Sequence, residues 1–186
     1  MAALIGLPLS YAHQREKLQR NFRVVEDGKL YRSAQLNPEG LSRVINDYGI
    51  KTVISFRFPS EPGQTPPDQW EVDFCKKLGV NHVHITPDVW SPDKEGVIPA
   101  QKGVDQFLKV MNDPRNQPAL VHCFRGAHRT GIHCAIYRME FNKWSNEEAI
   151  SEMKALGYTN LDEEENIRTY LSQYTPSKSP PRKLGK

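Results

Sequence analysis

The chain has 186 residues, 38% hydrophobic and 25% charged, with a net charge of +3. That suits one soluble domain with its own core, and so small a basic excess, without a long basic stripe or an aromatic ladder, gives no argument for a nucleic-acid partner. Three cysteines, Cys75, Cys123 and Cys134, cannot make a disulfide framework, so free thiols and a cytoplasmic location are expected.

The opening MAALIGLPLSYAHQ has a short apolar run without a basic start, which argues against a signal peptide or a membrane span. Residues 1–20 read as an extension. NFRVVEDGKLYRS, residues 21–33, predicts two short strands turning at Asp27-Gly28. NPEGLSRVINDYG predicts a helix with Asn37 as N-cap, Pro38 in its first turn and Gly49 past its end. KTVISFRF, residues 51–58, predicts a buried strand, and FPSEPGQTPP a loop. A helix over DQWEVDFCKKLG and a strand over VNHVHIT follow. PDVWSPDKEGVIP is loop, PAQKGVDQFLKVMND an amphipathic helix, and PALVHC a short buried strand. Three helices come next, over RTGIHCAIYRMEF, SNEEAISEMKALG and LDEEENIRTYLSQY. Ser145 and Glu148 form a capping box on the second. Residues 175–186 read as a disordered basic tail. Strand alternating with helix implies one α/β domain with a mostly parallel sheet flanked by helices.

The stretch HCFRGAHRTG, residues 122–131, lies between the carboxyl end of a strand and the start of a helix. Open α/β sheets bind ligands at that edge. A helix start offers unpaired N–H groups and a positive dipole end, both suited to an anion. Gly126 permits a tight turn that aims successive amides at one point. Arg129 adds a planar fork matched to phosphate oxygens. The same positive field favours the thiolate of Cys123. A nucleophile under a phosphate cradle points to attack on phosphorus.

These residues resemble the signature of the cysteine-dependent phosphatases: His-Cys, five residues, Arg, then Ser or Thr. The resemblance covers residues 21–157, since LYRSAQ and the KTVISFR and PALVHC strands also resemble the compact dual-specificity class. The loop is most similar to the atypical plant and fungal group, which reads Lys-Arg-Gly-Lys-His after the cysteine. Arg125, Gly126 and His128 match; Phe124 and Ala127 stand where that group has lysines. The resemblance implies a dual-specificity phosphatase-like fold over 21–174 and a metal-free phosphomonoester hydrolase without cofactor. It implies Cys123 as nucleophile, Arg129 as phosphoryl grip, Thr130 as hydroxyl donor to the leaving thiolate and His122 as loop brace. The backbone amides of Phe124, Arg125, Gly126, Ala127, His128 and Arg129 would bind the non-bridging oxygens.

The leaving oxygen needs a proton, and an aspartate on a nearby loop is the usual donor. Asp93, in SPDKEGVIP, resembles the acid loop of the classical tyrosine phosphatases with one extra residue. Asp88 follows the strand directly, where compact dual-specificity enzymes often place theirs. Asp93 is preferred; the bland reading of either is a turn cap. A zinc site from His122, Cys123, His128, His133 and Cys134 lacks the usual spacing, and His133 and Cys134 read as packing. Cys75 reads as a buried thiol, and Arg57 as the partner of a carboxylate. The chain is expected to act as a monomer on a phosphorylated protein, with no nucleic-acid or membrane partner. Two alternatives stand beside this: an inositol phosphate or phosphoinositide phosphatase, and a non-catalytic phosphate-binding module.

Overall fold

A computed structural model describes residues 20–59 and 63–177. Most of the expected extension, 1–20, and of the expected basic tail, 175–186, lies outside the described residues. The strands are β1 (Arg23–Glu26), β2 (Leu30–Ala34), β3 (Thr52–Ser55), β4 (Asn81–His84) and β5 (Ala119–Cys123). They form one sheet in the order β1-β2-β5-β3-β4, antiparallel at β1–β2 and parallel elsewhere. Ala119, Leu120, Val121 and Cys123 make β5 apolar apart from His122, and it is buried along its whole length, as a strand covered on both faces requires.

The helices are α1 (Pro38–Tyr48), α2 (Gln69–Lys77), α3 (Gln101–Met111), α4 (His128–Phe141), α5 (Asn146–Ala155) and α6 (Glu165–Gln173). The expected punctuation is present. Asn37 accepts from the Gly40 N–H, Gly49 takes the left-handed conformation at φ 61°, and Ser145 with Glu148 makes the reciprocal capping box.

The sheet has two buried faces. On one, Leu30, Ile54 and Val121 pack against Phe107 and Met111 of α3 and Cys134 and Tyr137 of α4. On the other, Tyr31, Val53 and Leu120 meet Leu41 and Val44 of α1 and Cys75 of α2. The far side of α4 is covered by α5 and α6 through Ile132, Ile136, Met153 and Leu171. Helix α4 is therefore buried nearly all round, and its amino end is fixed from several directions.

Several elements are shorter than the sequence suggests, and two of them differ for a reason the structure shows. The KTVISFRF strand stops at Ser55, because the Ser55 hydroxyl accepts the Arg57 N–H at 3.1 Å and turns the chain out of the ladder. The last helix begins at Glu165, after a separate 3-10 turn over Leu161–Glu163. Among the described residues, no helix is long and apolar enough to cross a membrane.

Candidate active site

Cys123 closes the central strand, and α4 begins at His128. The thiol is buried, at 3% exposure, under the loop between them. The amino end of α4 has no side-chain cap. Among the described residues, no backbone N–H from Phe124 to Arg129 donates to a protein acceptor. In a folded chain such groups are nearly always paired. A continuous run of free donors at a helix start is a ready anion site.

The loop's carbonyls are held on its outer side. Phe124 O accepts the Gln35 N–H at 3.3 Å, Arg125 O accepts from Asn21 Nδ2 at 3.1 Å, and Gly126 O accepts from Arg32 Nη2 at 2.6 Å. A trans peptide points its C=O and N–H in opposite directions. Fixing these oxygens outward therefore aims the next N–H groups, of Arg125, Gly126 and Ala127, inward. Gly126 sits at φ +70°, and a Cβ there would land on the Ser33 carbonyl. Only glycine fits so close to β2 in that conformation.

Arg129 is half-buried beside Cys123, and its guanidinium stacks over the Phe58 ring at 4.3 Å. Burial draws the Arg129 pKa below its usual value; the charge of Cys123 opposes this and that of Arg57 adds to it. The Thr130 hydroxyl is buried without a partner among the described residues. His133 Nδ1 lies 2.9 Å from the Arg129 carbonyl. Its ring stacks on Phe56 at 3.9 Å, and burial holds its pKa down at about 4. This neutral ring can donate its Nδ1–H to that carbonyl. His133 and Cys134 are both buried in packing positions.

The rim differs from the sequence expectation. Arg57 pairs with no carboxylate among the described residues; its guanidinium lies 4.9 Å over the Phe124 ring, with Arg20 at 5.8 Å from the same ring. Phe124 is 50% exposed and Phe58 is 41% exposed, two aromatic surfaces at the mouth. Arg125 is exposed and forms no ion pair among the described residues. His128 turns away, with Nε2 3.1 Å from Glu164 and its ring against Tyr158 at 4.7 Å.

The two candidate acids are separated by their bonding. Asp93 folds its carboxylate onto its own loop, accepting from Glu95 N–H at 3.0 Å and Val97 N–H at 2.8 Å. Asp88 accepts from the Val89 N–H at 2.8 Å and lines a pocket with Arg129, Trp90 and His133. The loop is fastened to α6 by Trp90 against Tyr170 at 4.8 Å and by Asn166 Nδ2 donating to Ser91 Oγ at 2.9 Å.

His122 points to the opposite face of the sheet, where its Nε2 is 2.8 Å from Glu71 Oε1. His82 Nε2 reaches the same oxygen at 2.9 Å. Burial pushes the Glu71 carboxyl up, but the charges and hydrogen bonds of the two imidazoles outweigh it and hold it at about 2. Asp68, next to this group, accepts from the Ser55 hydroxyl. Asp68, Glu71 and His122 have the donor atoms of a metal-binding group, yet they are committed to these internal partners. Glu71 is absent from the sequence reading. Its signal was there: Asp68, Glu71 and Cys75 form the buried stripe of this helix segment, so two acids occupy positions where apolar residues belong. Cys75 lies on that face too, its thiol pushed up to about 12 by burial and by Glu71.

The tyrosine phosphatase family model matches residues 18–185. The chain belongs to this family. It is 33% identical over 142 residues to the dual specificity protein phosphatase TpbA of Pseudomonas aeruginosa, covering 76% of this chain and 57% of that one. It is 32% identical over 112 residues to the inositol diphosphatase DSP3 of Arabidopsis thaliana, covering 60% and 50%. The chain thus spans about half the length of these curated relatives. The core catalytic domain of PP-IP phosphatase SIW14 from Saccharomyces cerevisiae shares the fold, with a TM-score of 0.64, 24% identity, and 84% and 87% of the two chains covered. The mostly parallel α/β fold expected from the sequence is the fold of this family.

Proposed function

We propose that this chain hydrolyses phosphomonoesters through a phosphocysteine intermediate on Cys123. The observation that carries the reading is the run of unpaired N–H groups from Phe124 to Arg129 arched over a buried thiol at the end of β5. The inward amides and the Arg129 fork bind the three non-bridging oxygens and stabilise the charge of the transition state. The Cys123 thiolate attacks phosphorus, the bond to the leaving oxygen breaks, and Asp88 gives that oxygen its proton. Asp88 takes this role because it shares a pocket with Arg129, whereas the Asp93 carboxylate is spent on its own turn. Water then attacks the phosphocysteine, Asp88 removes the water's proton, and Thr130 donates its free hydroxyl to the departing thiolate. His122 braces the loop from behind through Glu71. Fixed amides and Arg129 supply this stabilisation from the chain's own groups, so the mechanism uses no metal or cofactor.

The preferred substrate is a phosphorylated protein side chain, supported by the Phe58 and Phe124 rings at the mouth, which suit an aryl group. A second reading, an inositol phosphate, rests on Arg20 and Arg57 stacked on Phe124. They put back at the rim the positive charge of a lysine that the similar loops carry and this one lacks. The chain acts as a monomer in the cytoplasm in either case.

A small aryl phosphate tests the chemistry, and a panel of phosphotyrosine peptide, phosphothreonine peptide and inositol phosphates tests the substrate. Cys123→Ser should abolish turnover and keep affinity for inorganic phosphate. Arg129→Lys should be severely impaired, because an ammonium cannot form the two-pronged grip. Substantial hydrolysis by Cys123→Ser would overturn the mechanism. A phosphopeptide turned over faster than any inositol phosphate supports the first substrate reading; the reverse order supports the second.

A further inference from the structure

Arg32 is 1% exposed, one of the largest fully buried side chains of the protein. It sits on β2, opposite Val121 of β5, two residues before the pairing of Ala34 with Cys123. Side chains two apart on a strand share a face, so Arg32 lies on the face of the sheet that carries Cys123. Its Nη2 donates to the Gly126 carbonyl at 2.6 Å, and it also lies 3.8 Å from where a Cβ on Gly131 would stand. The guanidinium is thus wedged between the back of the loop and the first turn of α4. Among the described residues it forms no ion pair, and its Nε has no partner. Glu152 of α5 is engaged by Arg138 through two bonds of 3.0 and 2.7 Å.

A buried charge without a counter-charge is expensive, because desolvation goes unanswered. Among the described residues no carboxylate answers it. An anion held by the loop, a phosphate in the cradle or a thiolate on Cys123, would. We infer that Arg32 is a positioning residue of the phosphate site, with two functions: it locks the Gly126 carbonyl outward and it lends the bound anion a buried positive charge from behind. The first function aims the Ala127 N–H at the phosphate. The second acts in a poorly screened interior, where a charge reaches further than at the rim. Arg129 grips the anion from the front; Arg32 touches neither substrate nor sulfur and works through the loop. The inference extends the phosphatase reading and rests on it only for turnover, since anion binding and thiol reactivity are properties of the loop itself.

The titratable and charged groups around Cys123 are Arg129 and Cys134 from the loop and α4, Arg57 after β3, and His122 beside it with Glu71 behind; Asp88 lines a pocket with Arg129. All stay in place when only Arg32 is changed. The experiment uses Arg32→Gln, whose amide can still donate to Gly126 but carries no charge, and Arg32→Lys, which keeps the charge and loses the planar fork. Three quantities are read: the pH midpoint of Cys123 alkylation by iodoacetamide, the dissociation constant of inorganic phosphate, and kcat on an aryl phosphate.

For Arg32→Gln the midpoint should rise by about one pH unit, as removal of a close opposite charge requires. Phosphate should bind at least about tenfold more weakly, and kcat should fall about 100-fold, the scale of a lost transition-state donor. For Arg32→Lys the midpoint should stay within a few tenths of the parent, while phosphate affinity and kcat fall by smaller factors. Lower thermal stability with a parental midpoint and parental phosphate affinity in both variants would overturn the inference and leave Arg32 a packing residue. If Arg32→Gln does not fold, Arg32→Lys decides: weakened phosphate binding with an unmoved midpoint supports the inference, and parental binding overturns it. If the parent protein alkylates and binds phosphate but turns nothing over, the phosphatase reading fails while the midpoint shifts still judge Arg32.

Discussion

Behind the phosphate loop, the two faces of one sheet hold buried charge in opposite ways. On the α1–α2 face, Glu71 is bonded to both His122 and His82, and each partner answers the other. On the α3–α4 face, Arg32 has a carbonyl for company and no carboxylate among the described residues. The paired group is a fastening that holds β5, β4 and α2 together whether or not substrate is present. The unpaired one is a charge held in reserve for an anion. A paired group should matter to stability and little to anion binding; an unpaired one should do the reverse. Each of the following changes separates those two outcomes.

Among these changes, the largest effect on chemistry should come from Gly126→Ala. The new Cβ meets the Ser33 carbonyl in a backbone conformation that side chains rarely adopt, so the loop must move and its amides lose their aim. Turnover should fall by at least about 100-fold, with phosphate affinity lost in parallel, as read by steady-state kinetics and calorimetric titration. Next stands the proton donor. Asp88→Asn should lower kcat by about 100-fold on poor leaving groups and flatten the basic limb of the pH–rate profile. Asp93→Asn should leave that limb in place, because its carboxylate holds the Glu95 and Val97 amides. If Asp93→Asn flattens the limb and Asp88→Asn does not, the acid is Asp93.

The paired side is broken by Glu71→Gln, which leaves two buried imidazoles without their carboxylate. Breaking such a group costs about 3–5 kcal/mol, measurable by urea unfolding at neutral pH. Phosphate affinity at low temperature, where the variant is folded, should change less than about threefold. A variant that keeps its stability and loses phosphate affinity would reverse the assignment of the two faces.

The smallest effect is an acid window set by His133. An unfolded imidazole protonates near 6.5, while in the core this one is held at about 4. Between those values the unfolded chain binds a proton that the folded chain refuses, so stability falls as pH falls from about 6.5 to about 4. Below that the group takes no more. The full loss is about 3 kcal/mol by linkage. Glu71 acts lower, its contribution being lost as pH falls from 4.5 to about 2. His133→Phe should remove the upper slope and keep the lower one in unfolding free energies taken between pH 7 and pH 3.

How much of this could be read from the sequence follows from where each partner lies along the chain. The caps at Asn37, Gly49 and Ser145 and the loop from His122 to Thr130 are local, and their residue types state their geometry. The strand that stops at Ser55 was not readable in the same way, since its end depends on a serine hydroxyl that accepts the Arg57 N–H and donates to Asp68. Glu71 meets His122 across 51 residues, and Arg32 meets Gly126 across 94. Neither bond leaves a mark in local periodicity beyond a charged residue on a stripe or strand that should be apolar. Arg57 shows the other side of this. A strand-end arginine reads as the partner of a carboxylate, and only the fold reveals that it stacks on Phe124 instead. The proposed acid moves from Asp93 to Asp88 for a related reason: a resemblance of loop sequence does not show that the Asp93 carboxylate accepts two amides of its own turn.

The phosphocysteine intermediate is the centre of the account, and trapping it is the most direct test. The protein is mixed with excess aryl phosphate, quenched in acid within one turnover, and weighed intact and after digestion. One phosphoryl group should appear on the peptide that carries Cys123, decay at the rate of the second step, and be absent from Cys123→Ser. Full turnover with a pre-steady-state burst of the aryl alcohol and no phosphoryl group on Cys123 at any quench time would contradict it.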